Sequence, residues 1–135
     1  MTNTLKGSCL CGQMQYEIKG EAKAFHHCHC QRCRKSNGTG HASNLRVADA
    51  SLRWISGEKL LRSYKLPEAE RFRNDFCGEC GSPMPRLFTE HGFVVLPAGT
   101  LDCDLPAVSA CRIFDRDRVE WSCRDELPAF DGYPN

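Results

Sequence analysis

Seven of the chain's ten cysteines fall into three tight groups: Cys9-Leu10-Cys11, Cys28-His29-Cys30-Gln31-Arg32-Cys33 and Cys77-Gly78-Glu79-Cys80. Cysteines two or three residues apart are poorly spaced for a structural disulfide, whose geometry wants Cα atoms farther apart along a free path. The same spacings let neighbouring thiolates converge on one ion, and zinc is the ion that closely grouped cysteines favour. Ten cysteines in 135 residues would otherwise suggest a secreted, disulfide-stapled framework. The longest unbroken apolar run is only Phe93 to Leu96. That is too short for a secretory leader or a membrane span, so a cytoplasmic protein with reduced thiols and no membrane partner is expected.

Cys9, Cys11, Cys77 and Cys80 together offer four thiolates, enough for a closed tetrahedral zinc that would tie the N-terminal segment to the middle of the chain. Cys28, Cys30 and Cys33 offer three, which leaves one tetrahedral position open, the pattern of a catalytic zinc. Spacing alone leaves the partition open. Cys28 to Cys33 could instead share an ion with Cys77 and Cys80, and Cys103, His29 or His41 could close the second site. Basic residues crowd the three-cysteine group: His26, His27, Arg32, Arg34 and Lys35. Positive charge favours thiolates and attracts anions. Arg32, Arg34 and Lys35 are the candidates for holding the carboxylates of an anionic substrate. A three-thiolate zinc is a poor activator of water but can hold an incoming thiol as a nucleophilic thiolate.

The elements that must position these groups are short. Gln13 to Ile18 alternates polar and apolar residues and predicts a half-buried strand. Leu52 to Ile55, Leu60 to Tyr64, Arg71 to Phe76 and Gly92 to Leu96 read as further strands, and Val119 to Ser122 as a weaker one. Only Gln31 to Ser36 reads as helix, a single turn ending at Asn37-Gly38. Turn residues at Gly57, Pro67 and Gly81 to Pro85 punctuate the strands, and the C-terminal tail reads as irregular. The sum is one mainly β domain spanning 1–135, with its core near 5–133. Phe25, Trp54, Phe72, Phe76, Phe93, Phe114 and Trp121 are expected in the core, and Cys103, Cys111 and Cys123 as free buried thiols.

The formal charge is +1, with 18 basic and 17 acidic residues. Seven thiolates and two zinc ions would bring it to about −2. With no basic, aromatic stripe, a nucleic-acid partner is not expected.

The motifs Gly7-Ser8-Cys9-Leu10-Cys11-Gly12, Cys28-His29-Cys30 with Cys33-Arg34-Lys35-Ser36, Phe76-Cys77-Gly78-Glu79-Cys80-Gly81-Ser82 and Gly99-Thr100-Leu101-Asp102 occur in that order. In this the chain resembles the glutathione-dependent formaldehyde-activating enzyme family, which includes centromere protein V. The resemblance implies a Mss4-like fold, a mainly β tent of packed antiparallel sheets. It implies a structural zinc on Cys9, Cys11, Cys77 and Cys80, and a second, catalytic zinc on Cys28, Cys30 and Cys33, which three ligands on one loop would hold loosely enough for partial occupancy. The implied activity is a carbon–sulfur lyase reaction joining glutathione, or a similar thiol, to formaldehyde or another small electrophile. One departure stands out: many relatives carry a histidine before Ile-Phe, where this chain has Arg112. The rival reading is a non-catalytic zinc module with two closed sites that binds a protein partner.

Overall fold

The computed structural model describes residues 2–134. Two long strands dominate it, β2 (Gln15–Cys28) and β3 (Ala42–Ser56), paired antiparallel. Around them a sheet forms in the order β1-β2-β3-β8-β7, with β1 at Asn3–Ser8, β7 at Arg86–Phe88 and β8 at Phe93–Pro97. A short strand β9 (Ala110–Ile113) joins the free end of β2 in parallel, placing Ile113 opposite Cys28. A second sheet holds β4 (Leu61–Lys65), β5 (Arg73–Cys77) and β6 (Pro83–Met84). The one α-helix among the described residues, α1 (Gln31–Asn37), sits between β2 and β3. The architecture is mainly β with little helix, as the Mss4-like resemblance implies. No helix among the described residues is long and apolar enough to cross a membrane.

Alternation builds the core. Leu5, Tyr16, Ile18, Leu45, Val47, Val94 and Leu96 all turn to one side and are almost fully buried. Met14, Met84, Cys9 and Cys77 join the same cluster. The four-cysteine group is therefore continuous with the core, and a smaller cluster of Cys28, Cys33 and Ala42 forms separately under Phe72 and Ile113. Tyr16 reaches through the core to Thr100, with 2.7 Å between hydroxyls, and meets Trp54 edge-on. That reach explains Gly7. A Cβ there would lie 2.1 Å from the Tyr16 hydroxyl and 2.5 Å from the Thr100 carbonyl.

The elements differ from the sequence expectation in instructive ways. β2 continues ten residues past Ile18 because register shifts near Gln15, Lys19 and Ala22 reset which face each residue takes. The alternation breaks, but the strand does not. β3 likewise begins at Ala42, ten residues before the apolar stretch that signals it. Val119 to Ser122 forms a turn, closed by the Ser122 N–H on the Val119 carbonyl. Phe114 and Trp121 are 51% and 64% exposed and do not belong to the core. Cys103 and Cys111 are exposed, and Cys123 is half-buried.

Gly7→Ala is expected to cost about 1–3 kcal/mol, because neither the tyrosine ring nor the backbone carbonyl can move away freely. A shift in the urea midpoint at unchanged slope checks it.

Candidate metal centre

Two knuckles build the first group. After β1, the chain turns at Cys9, where the Gly12 N–H returns to the Cys9 carbonyl at 3.0 Å. After β5 it turns at Cys77, where the Gly81 N–H returns to the Cys77 carbonyl at 2.8 Å. Gly12 and Gly81 both take the left-handed conformation, with φ of 79° and 78°, which a glycine adopts without steric cost. Ser82 clamps the two knuckles together. Its hydroxyl accepts the Leu10 N–H at 2.9 Å and contacts the Cys80 sulfur at 3.3 Å. The Met14 N–H donates to the Cys9 sulfur.

The result is four sulfurs within 4.8 Å of one another. The separations of Cys9 from Cys11, 3.5 Å, and of Cys11 from Cys77, 3.9 Å, bracket the edge of about 3.8 Å that follows from tetrahedral Zn–S bonds of about 2.3 Å.

The second group is assembled by different elements. β2 ends at Cys28, and β9 holds that end through the His29 N–H on the Ile113 carbonyl at 3.0 Å. Cys30 caps α1, its sulfur accepting the Cys33 N–H at 3.4 Å. Gly38 closes the helix in the left-handed conformation. The three sulfurs of Cys28, Cys30 and Cys33 also lie within 4.8 Å of one another. Among the described residues no fourth cysteine, histidine or carboxylate joins them. The structure thus groups the seven cysteines four and three. His29 is fully buried, yet neither ring nitrogen has a partner. Its ring packs 5.0 Å from His41, and His41 lies 4.5 Å from His27. Burial first, and then His41, lowers the His29 pKa and keeps it neutral. Arg112 sits in β9 at the register position of His27.

Packed thiols cannot all ionise. A hydrogen bond with Cys33, outweighing burial, draws the Cys28 thiol down to about 6, and the same bond with burial pushes Cys33 up. In the four-cysteine group the Ser82 hydroxyl draws Cys80 down to about 5. Cys11 is pushed up to about 11, because burial and the neighbouring sulfurs outweigh a hydrogen bond from Gln13. Each group holds some sulfurs ready to ionise and others prevented from it by their neighbours. A dication at the centre removes that conflict, so the donor set in both places fits zinc.

Of the basic residues near the second group, Arg32 and Lys35 lie on the exposed face of α1. They line a hollow of about 450 Å³ with Tyr64, Leu66 and Phe72. Arg34 is partly buried, and its Nε has no partner. A different cavity, of about 340 Å³, touches the sulfur-bearing Cys28 and Cys33 directly, and four arginines line it: Arg46, Arg71, Arg73 and Arg86. Sequence reasoning missed these. They come from β3, β5, β7 and the segment before β5, and only the fold brings them together. The two hollows meet at Phe72. Asp102, at the end of the Gly-Thr turn, accepts the Ser8 hydroxyl at 2.7 Å beside the first knuckle.

Comparison with known proteins now bears on this arrangement. The model of the glutathione-dependent formaldehyde-activating enzyme family matches residues 4–117. The chain belongs to that family. Its fold is also similar to a crystal structure of a Rhodobacter sphaeroides protein from structural genomics, at a TM-score of 0.50 and 21% identity, covering 79% of this chain and 100% of that one. No functionally curated protein matches it in sequence. Within the family, two cysteine groups that could hold metal are now located in space, the larger tied into the core and the smaller set beside open cavities.

Two outcomes are expected. Cys77→Ser should lower the thermal midpoint by about 10 °C or more, because it removes one of the four sulfurs through which a metal would tie the two sheets together. Cys33→Ser should lower it less. Scanning calorimetry on the zinc-loaded chain distinguishes the two. Acid should also release metal held by either group. Thiolates protonate as pH falls, near 6 for metal-free Cys28 and near 5 for metal-free Cys80, and bound metal lowers both further. Release is therefore expected as the pH falls, from the three-sulfur group first, since it offers one ligand fewer and Cys33 is held back from ionising by its neighbours. A zinc-indicator titration from neutral pH downward follows it.

Proposed function

We propose that the chain is a zinc-dependent carbon–sulfur lyase, condensing glutathione or a similar thiol with formaldehyde or another small electrophile at Cys28, Cys30 and Cys33. The observation that carries this reading is the three-sulfur group that no fourth donor among the described residues completes, in a chain of the formaldehyde-activating family. In that reading Cys9, Cys11, Cys77 and Cys80 hold a structural zinc. When bound by the other three cysteines, zinc would supply a place for the incoming thiol to sit as a thiolate.

The chain's own residues do the rest. Packing of Cys28 and Cys33 against Phe72 and Ile113 covers the cysteines on one side, and the lower polarity there strengthens charge interactions. The hydrogen bond from the Cys33 N–H fixes the Cys30 sulfur. Arg32, Arg34 and Lys35 are proposed to take the carboxylates of the thiol. Arg32 and Lys35 do so from the hollow that meets the cysteine-lined cavity at Phe72, and charge-assisted pairs there would orient a flexible anion.

A second reading, a zinc module that binds a protein partner, draws on exposed apolar side chains. Leu10, between two cysteines, is 87% exposed, and Trp121, Leu127, Phe130 and Tyr133 are exposed along the C-terminal tail.

Kinetics separate the roles. Cys30→Ser should abolish turnover of formaldehyde with glutathione, to less than about 1% of the parent rate. Arg32→Gln with Lys35→Gln should raise the glutathione KM about tenfold, the scale of a lost charge-assisted pair. A Cys30→Ser protein that retained both metal and activity would remove the role assigned to Cys30.

A further inference from the structure

The cavity against Cys28 and Cys33 has a composition that a one-carbon electrophile does not use. Its volume is about 340 Å³, roughly the share of eleven water molecules in the liquid. A molecule of one carbon and one oxygen would leave most of it to solvent.

Its lining has two parts. One is cationic. Arg46, Arg71, Arg73 and Arg86 face the space, and no aspartate or glutamate lines it. Asp75 engages Arg73 at 2.9 Å, and Arg86 donates to the Arg73 carbonyl. Among the described residues, Arg46 and Arg71 have no carboxylate partner, although both are exposed to solvent. Glu70 and Glu90 line an adjoining hollow with Arg71 and Arg73.

The other part is aromatic. Phe88 and Phe93 stack at 5.1 Å, and a guanidinium covers each: Arg46 lies 4.5 Å from the Phe93 centroid and Arg73 lies 4.9 Å from that of Phe88. Stacking holds the planar cations in place without consuming their N–H donors. Phe72 and Phe114 extend the apolar wall toward the sulfurs.

A cavity that joins guanidinium groups, Arg46 among them held on Phe93, to aromatic walls suits an organic acid with an apolar body, since the acid pairs with the cations and the body leaves water. We propose, resting on the lyase reading above, that the electrophile at this site is a carbonyl compound bearing a carboxylate on an apolar or aromatic body, with that carboxylate between Arg46 and Arg71. The reaction balances as an addition. The thiol sulfur bonds to the carbonyl carbon, the carbon–oxygen π bond breaks, and the thiol proton ends on the oxygen, giving a hemithioacetal with no oxidant or reductant.

The experiment uses the zinc-loaded full chain and two probes, unreactive 4-methylbenzoate for binding and 4-formylbenzoate for turnover with glutathione. Calorimetry is expected to show 4-methylbenzoate binding, weakened at least tenfold by Arg46→Gln with Arg71→Gln and severalfold by Arg71→Gln alone. The unfolding midpoint of each variant shows that it is folded. The kcat/KM for 4-formylbenzoate is expected to exceed that for formaldehyde at least tenfold, with the arginine variants losing it through KM. Turnover of formaldehyde without arginine-dependent binding of 4-methylbenzoate overturns the inference and leaves the lyase reading standing. Competition by S-methylglutathione for the same two arginines also overturns it, by giving the cavity to the thiol. Arginine-dependent binding with no turnover of any aldehyde overturns the lyase reading and the electrophile's role with it.

Discussion

The structure depends on sulfurs packed too closely to carry their charges alone. Four lie within 4.8 Å of one another at the base of the core, and in each group the ionisation of one thiol holds back that of another. A central dication turns this mutual repulsion into cohesion. For a domain of this size, whose core is small, such a crosslink between the end of β1 and the end of β5 would add stability that apolar burial alone supplies in larger domains. Cys9 and Cys77 are both core residues, so the placement of these sulfurs and the packing of Met14, Tyr16 and Met84 are set together.

The second group depends on the long bent hairpin of β2 and β3. Register shifts bend β2 without ending it, and the strand then delivers Cys28 to a point where β9, α1 and Phe72 converge. Cys28 and Cys33 end up beside a cavity, apart from the main core. This is the physical difference between the groups: one is completed by four protein sulfurs and anchored in the core through Cys9 and Cys77, with Cys11 at the surface, and the other borders space that a ligand can enter. The proposed lyase chemistry needs that difference. So does the assignment of two separate approaches, one past α1 and one past the stacked Arg46, Phe93, Phe88 and Arg73.

Much of this was legible in the residues, because metal ligation is local. Cys9-Leu10-Cys11 and Cys77-Gly78-Glu79-Cys80 announce knuckles, and the Gln31 turn ending at Gly38 was readable from its glycine. Less legible were features that arise only when distant strands meet. The alternation of β2 is lost where bulges shift its register, so the strand carrying Cys28 looked six residues long. Phe114 and Trp121 looked like core because they are large and apolar, but the irregular C-terminal segment offers no second layer to cover them. The arginines around the cysteines were sought on the loop next to Cys33. Those touching the sulfur-lined cavity come from β3, β5, β7 and the segment before β5, whose sequences give no sign of a shared space.

The central claim is that the three-cysteine group is an open metal site and the four-cysteine group a closed one. The most direct test is zinc per chain, measured with X-ray absorption at the zinc edge, before and after glutathione and dialysis. The account predicts two zinc ions per chain. After glutathione, either one is lost or one gains a fourth sulfur from the added thiol, while the other is unchanged. Two zinc ions that keep the same coordination with and without glutathione would contradict it.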